Sequence, residues 1–187
     1  MRAFIALTLP PPVREALAGL QQQLASAGAD VGWVKPDQLH MTVKFLDDIT
    51  EDQRRQVEVM LREVIAAQPV WTMALDHLGA FPKLEAPRIL WVGAGAGREP
   101  LVQLARQIEQ GAARLSLRRE ERPFSAHVTI GRVRSGRGLP ELAHALQAAR
   151  WDPPAPWPVE SLTLYQSVLT SKGPTYTTLA DILLIDG

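Results

Sequence analysis

Apolar positions along this chain recur at two periods, and each change of period marks an element. Residues 2–9 are dense in strand-favouring apolar side chains and stop at Pro10-Pro11-Pro12, which predicts a strand followed by a helix start. Val13, Leu17, Leu20 and Leu24 then recur at helical spacing until Gly28. After Trp33 and a Lys-Pro-Asp turn, residues 39–46 (LHMTVKFL) predict a second strand. Thr50 and Gln53 have the spacing of a capping box, and Val57, Leu61, Val64 and Ile65 share one face of a helix expected to reach Ala67. Beyond Pro69, WTMALDHLGAF and PRILWVGAG predict two strands around a Phe-Pro-Lys turn. Leu101, Leu104, Ile108 and Leu115 form a stripe through a helix over residues 100–117. A short strand follows over 126–133, then the turn SGRGLP and a helix over 142–149. Prolines 153, 154, 156 and 158 make a loop-like patch, and SLTLYQSVLT and YTTLADILLI close the chain as a strand pair. Strands that follow one another with no helix between favour a mixed α+β sheet over a parallel doubly wound one. No linker long enough to divide the chain is visible, so residues 1–187 are expected to form one unit.

Composition narrows the class. At 187 residues the chain is long enough to bury a core, and 46% hydrophobic with 21% charged residues reads as globular. Twenty basic and twenty acidic residues cancel, which excludes a surface that grips a polyanion everywhere but leaves room for a local basic patch. There is no cysteine, so disulfides, thiolate catalysis, iron–sulfur ligation and cysteine zinc sites are excluded. The apolar runs fall far short of a membrane span and the start lacks the pattern of a signal peptide. The expectation is a soluble, cytoplasmic protein with no membrane partner.

Only four histidines are present, and two share a local frame: His40-Met41-Thr42-Val43 and His127-Val128-Thr129-Ile130. On a strand, alternation sets His and Thr on one face and the apolar pair on the other. Each tetrad can bury one side and offer an imidazole and a hydroxyl on the other. Two such groups meeting in one cleft suit phosphodiester cleavage. One imidazole takes a proton from the nucleophile and the other protonates the departing oxygen, while the hydroxyls donate to the non-bridging oxygens. The scheme needs no metal or other cofactor. A zinc site is the weaker alternative, because no His-x-His, HExxH or neighbouring carboxylate pair supplies further ligands. A single His-x-Thr strand would usually be plain sheet; the second copy in matching context gives the pattern its weight.

The paired tetrads and their flanks resemble the 2H phosphoesterase superfamily, specifically its bacterial and archaeal RNA 2′,3′-cyclic phosphodiesterases, historically called 2′-5′ RNA ligases. The likeness runs through RAFIALTLPPPVREAL, WVKPDQLHMTVKFLDD, FPKLEAPRILWVG, RPFSAHVTIGRV and LTLYQSVLTSKGPTYTTLA, nearly the whole chain. Three positions depart from that pattern: Ala126 stands where Pro is usual, Gly131 where Ala is frequent, and Leu46-Asp47-Asp48 where Leu-Gly-Glu or Leu-Gly-Asp is usual. The resemblance implies two pseudo-symmetric α+β lobes of mainly antiparallel sheet, with helices outside and one tetrad from each lobe facing a central cleft. It implies His40 as general acid on the 3′ oxygen and His127 as general base on water, opening a terminal 2′,3′-cyclic phosphate to a 2′-phosphate. Joining or splitting 2′-5′ linkages would be the same chemistry with a ribose hydroxyl in place of water. It also implies a substrate-binding Arg132. Expected partners are RNA 3′ ends or small cyclic phosphates, bound by a monomer. Turnover of small nucleotides such as ADP-ribose cyclic phosphate or 2′-5′ oligonucleotides, and a non-catalytic RNA-end binding module, stay open as alternatives.

Other residues carry weaker signals. Arg114, Arg118, Arg119, Arg122, Arg132, Arg134 and Arg137 concentrate charge in the sequence around the second tetrad. Phe45 could stack a terminal base, although alternation sets it opposite His40. Lys44 shares the His40 face by the same alternation. Tyr165 and Tyr176 could flank the cleft, with Tyr165 the expected contact. His77, His144 and the five tryptophans read as surface or packing residues, and Gly93, Gly95 and Gly97 as a turn.

Overall fold

The computed structural model describes residues 1–66, 68–171 and 173–184. Along the chain run β1 (Arg2–Thr8), α1 (Pro11–Ala25), β2 (Val31–Trp33), a 3-10 turn (Pro36–Gln38), β3 (His40–Asp48), α2 (Glu51–Ile65), β4 (Trp71–Met73) and β5 (Leu75–Lys83). They continue with β6 (Ala86–Ala94), α3 (Arg98–Arg114), β7 (His127–Val133), α4 (Leu139–Ala148), β8 (Trp157–Val159), β9 (Ser161–Thr170) and β10 (Gly173–Leu183). The expected helix end at Ala67 and strand end at Ile185 lie outside the described residues.

Local chemistry sets the helix starts. Pro11 and Pro12 occupy the first turn of α1, where a missing N–H costs nothing. Thr50 and Gln53 close the capping box of α2: the Gln53 amide donates to Thr50 Oγ1 at 3.1 Å, and the Thr50 amide donates to Gln53 Oε1 at 2.9 Å. α3 begins after Gly97 at φ +80°, where a Cβ would sit 2.1 Å from the Thr72 carbonyl oxygen.

The strands pair antiparallel in the order β10-β9-β1-β3-β7-β6-β5, with β2 added on β7; β4 and β8 form a separate ribbon. One face of the large sheet supplies Ile5, Leu7, Met41, Val43, Leu90, Val92, Val128 and Ile130 to the core. Four helices cover that face with Leu17, Leu24, Leu61, Leu101, Leu104 and Leu142. Burying each such side chain stabilises the fold by about 1.5–3 kcal/mol. α2 and α3 back β10 and β3, whereas α1 and α4 back β7 and β6, so each half of the sheet has its own helix pair. Among the described residues no helix is long and apolar enough to cross a membrane. The short strands β2 and β8, the latter inside the proline patch, escape a pattern reading because three residues have no legible alternation.

The two tetrad strands lie side by side at the centre, with Met41 opposite Val128. Both carry a bulge at the same place. In β3, Thr42 faces Ala6 and Lys44 faces Ile5, leaving Val43 extra; in β7, Thr129 faces Trp91 and Gly131 faces Leu90, leaving Ile130 extra. Each bulge reverses the alternation beyond the tetrad. Phe45 therefore lies on the His40 face and is 50% exposed, not packed on the opposite side as strict alternation predicts. Lys44 turns into the interior at 5% exposure, where it donates to Glu109 Oε2 at 2.6 Å and to the Arg118 carbonyl at 3.0 Å. The same step in β7 brings Arg132 onto the His127 face. Gly131 takes the inward place of Lys44, because Val31 and Trp33 of β2 press there and a Cβ would approach Trp33 to 3.0 Å.

Candidate active site

Antiparallel continuation of the Met41–Val128 register sets His40 beside Thr129 and Thr42 beside His127, so the tetrads meet crosswise on the open face. Each imidazole is held in the same way. His40 Nδ1 lies 2.7 Å from the Gln38 carbonyl oxygen and His127 Nδ1 lies 2.8 Å from the Ser125 carbonyl oxygen, in each case two residues back. A carbonyl oxygen only accepts, so both Nδ1 atoms carry the proton. That leaves Nε2 as the second nitrogen of each ring.

Aromatic walls support both rings. His40 packs on Phe4 with centroids 4.9 Å apart and edge-on against Tyr176 at 5.3 Å. His127 packs edge-on to Phe81 at 5.5 Å and to Trp91 at 6.1 Å. The walls correspond by register: Phe81 faces Ile89 in the second half as Tyr165 faces Phe4 in the first. Burial among these rings pushes both imidazole pKa values below their ordinary 6.5, against the opposing pull of the carbonyl partners. His127 is lowered further by the positive charge of Arg132, a push that His40 lacks.

The strand register thus sets the four tetrad side chains on one face, and the repeat extends to the family level. The model of the LigT-like phosphoesterases matches this chain twice in tandem, over residues 7–91 and 92–176, one copy per tetrad. The chain belongs to that family. RNA 2′,3′-cyclic phosphodiesterase of Archaeoglobus fulgidus is 33% identical over 176 residues, covering 94% of this chain and 96% of its own length. The protein of the same name from Methanothermobacter thermautotrophicus is 30% identical over 177 residues, 95% of each chain. Among solved structures, TT0787 of Thermus thermophilus superposes with a TM-score of 0.82 at 28% identity, covering 98% of both chains. E. coli LigT complexed with 3′-AMP gives 0.77 at 26% identity, covering 98% of this chain and 97% of that one. Membership makes the chain an enzyme of phosphate-ester chemistry.

Within this LigT-like site the remaining candidates divide. Arg132 is exposed on the His127 face, and its charge also reaches Tyr176, whose hydroxyl is pushed up by burial and pulled back by Arg132 and Arg2. Tyr165 stands one ring further from the histidines than Tyr176. Its ring stacks on Phe4 at 5.2 Å, and its hydroxyl shares a 2.8 Å hydrogen bond with Thr8 Oγ1. Arg118 and Arg119 leave the second tetrad altogether; Arg118 donates to Asp47 Oδ2 at 2.9 Å, at the far end of the first tetrad's strand. His77, expected to be a bystander, meets Trp91 edge-on at 5.3 Å and so stands behind the His127 wall. Phe4, Phe81 and Trp91 were not anticipated as ring supports, although the parity of β1 sets Phe4 on the face of Thr8. Among the described residues no group of three or more His, Cys, Asp or Glu side chains is arranged to hold a metal ion.

Proposed function

We propose that this protein hydrolyses the 2′,3′-cyclic phosphate of an RNA 3′ end to a 2′-phosphate without a metal, the whole chain working as one bilobal unit. The observation that carries the proposal is the matched pair of imidazoles, each locked through Nδ1 to a backbone carbonyl and presenting Nε2 on the shared face. The names of the relatives support the substrate class. His127 Nε2 accepts a proton from water as the water oxygen bonds to phosphorus. The bond from phosphorus to the 3′ oxygen breaks, and His40 Nε2–H supplies the proton that oxygen takes. Thr42 and Thr129 donate to the non-bridging oxygens, Arg132 balances their charge, and Phe45 and Tyr165 contact the terminal nucleoside. With a ribose hydroxyl as the other partner, the same groups run 2′-5′ joining and splitting.

The test is incubation with an oligonucleotide ending in a 2′,3′-cyclic phosphate, with and without EDTA, followed by location of the product phosphate. Activity persists in chelator, the product carries a 2′-phosphate, and H40A and H127A each lose about 10²- to 10⁴-fold in kcat. Full turnover in either variant, or a 3′-phosphate product, refutes the scheme. Small nucleotides are the second reading, favoured by the complexes that the similar E. coli LigT forms with 3′-AMP, ATP and NADP+.

A further inference from the structure

β1 runs along the cleft as a ruler. Its even positions share one face: Thr8 opposite His40, Ala6 opposite Thr42, Phe4 opposite Phe45, and Arg2 opposite Asp48. Arg2 thus lies four residues, or about 13 Å, from the position level with Thr42. Around it opens a pocket of about 210 Å³ lined by Arg2, Phe45, Asp47, Arg118, Arg119 and Glu120. Phe45 belongs both to this pocket and to the aromatic cluster that reaches His40 through Phe4, with Phe45 and Phe4 centroids 6.1 Å apart. The charge of Arg2 also reaches Tyr176, whose ring touches His40. The pocket therefore borders the aromatic cluster that holds His40.

Its far wall is built rather than incidental. Buried Lys44 holds the Arg118 carbonyl, and Glu109, its ion-pair partner, accepts from the Glu120 amide at 3.1 Å. Both lining carboxylates have partners. Asp47 stands at φ 56°, uncommon for a residue other than glycine, and accepts from Arg118. Glu120 Oε1 receives the Arg122 amide at 3.4 Å. Arg2 and Arg119, both exposed, line the same pocket beside Phe45. The volume lies under the roughly 300 Å³ at which small-molecule pockets begin, so the pocket suits one phosphodiester group of a longer strand rather than a whole enclosed nucleotide.

Resting on the activity proposed above, we propose that this pocket is a second anion subsite. Arg2 and Arg119 grip a phosphodiester upstream of the reacting end while Phe45 stacks a base between the two. The preferred substrate is then an RNA strand, not a free cyclic mononucleotide. The experiment compares kcat/KM on a cyclic mononucleotide with that on di-, tri- and tetranucleotides bearing the same cyclic end, for the natural protein and R2A/R119A. The natural protein gains about tenfold from the added nucleotides, and the double variant keeps no more than about twofold of that gain. The gain falls as salt rises from 50 to 200 mM. Equal use of all lengths, or retention of the full gain by the variant, overturns the subsite. If no cyclic substrate is turned over, the activity proposal fails by itself. Binding of a trinucleotide ending in 2′-phosphate, against the mononucleotide, still reads the subsite, and equal affinities refute it.

Discussion

Lys44 and Glu109 offer a test in which two removals of one ion pair have very different costs. The Lys44 side chain is 3% exposed and that of Glu109 33%. Substitution E109Q takes away the carboxylate and strands an ammonium that cannot reach water. Breaking a buried pair in this way costs about 3–5 kcal/mol. The lower end applies here, because the Arg118 carbonyl still accepts from Lys44 and the Glu109 side was already wet. Substitution K44M does the reverse: it fills the same volume with apolar atoms and leaves Glu109 facing solvent, a change expected to stay within about 1 kcal/mol of the natural protein. For a chain of this size, 1 kcal/mol corresponds to about 2–4 °C in Tm. E109Q should therefore lower Tm by about 6–12 °C and K44M by no more than about 4 °C. Equilibrium urea unfolding of both variants, with matching m-values, provides the free energies. Equal losses in the two variants, or a greater loss for K44M, would show that the bulge does not bury Lys44 as a charge.

Two further outcomes concern pH. Both histidines are lowered from 6.5, chiefly by burial, so kcat/KM follows a bell centred below 6.5, its alkaline limb set by loss of the acid's proton. Arg132 disfavours the proton on His127, so R132Q raises that pKa and moves the acidic limb to higher pH; an unmoved limb counts against His127 as base. Stability carries the same sign: the unfolded chain binds more protons than the native one below about 6.5, so ΔG of unfolding falls as pH drops through that value. The loss is at most about 1.4 kcal/mol per pH unit for each ring. An H40Q/H127Q variant should show a flatter profile in urea titrations between pH 7 and 5, and an equally steep one would refute the burial argument.

Much of this was legible in the residues because the tetrads combine two independent regularities. His-x-Thr parity fixes a face, and the repeat of that parity 87 residues later fixes a pair. The helices were equally plain where apolar stripes and a capping box coincide, as at Thr50. What escaped was everything beyond the bulges. Strict period two assigns Lys44 outward and Phe45 inward, and a single unpartnered residue, Val43, exchanges them. No residue type in VKF announces the bulge, which shows only in the pairing with β1. Two of the seven arginines also land away from where sequence order puts them. Arg118 and Arg119 are near His127 in sequence, but the segment carrying them is pinned to β3 by Lys44.

The proposed scheme gives near-identical tetrads different roles, and the surroundings of the two rings bear on that choice. His40 and His127 share a place at the strand start and a carbonyl partner two residues back, and both are lowered chiefly by burial, which is deeper at His40. The difference arises one step past each bulge, where the first half places the neutral ring of Phe45 and the second places the charge of Arg132. A bound cyclic phosphate is an anion and raises the proton affinity of both rings. Arg132 subtracts from that rise at His127 only. In the proposed scheme that bias favours the proton on His40 and leaves His127 Nε2 to accept from water. On the proposed scheme, R132Q is therefore the substitution that weakens this bias without touching either tetrad.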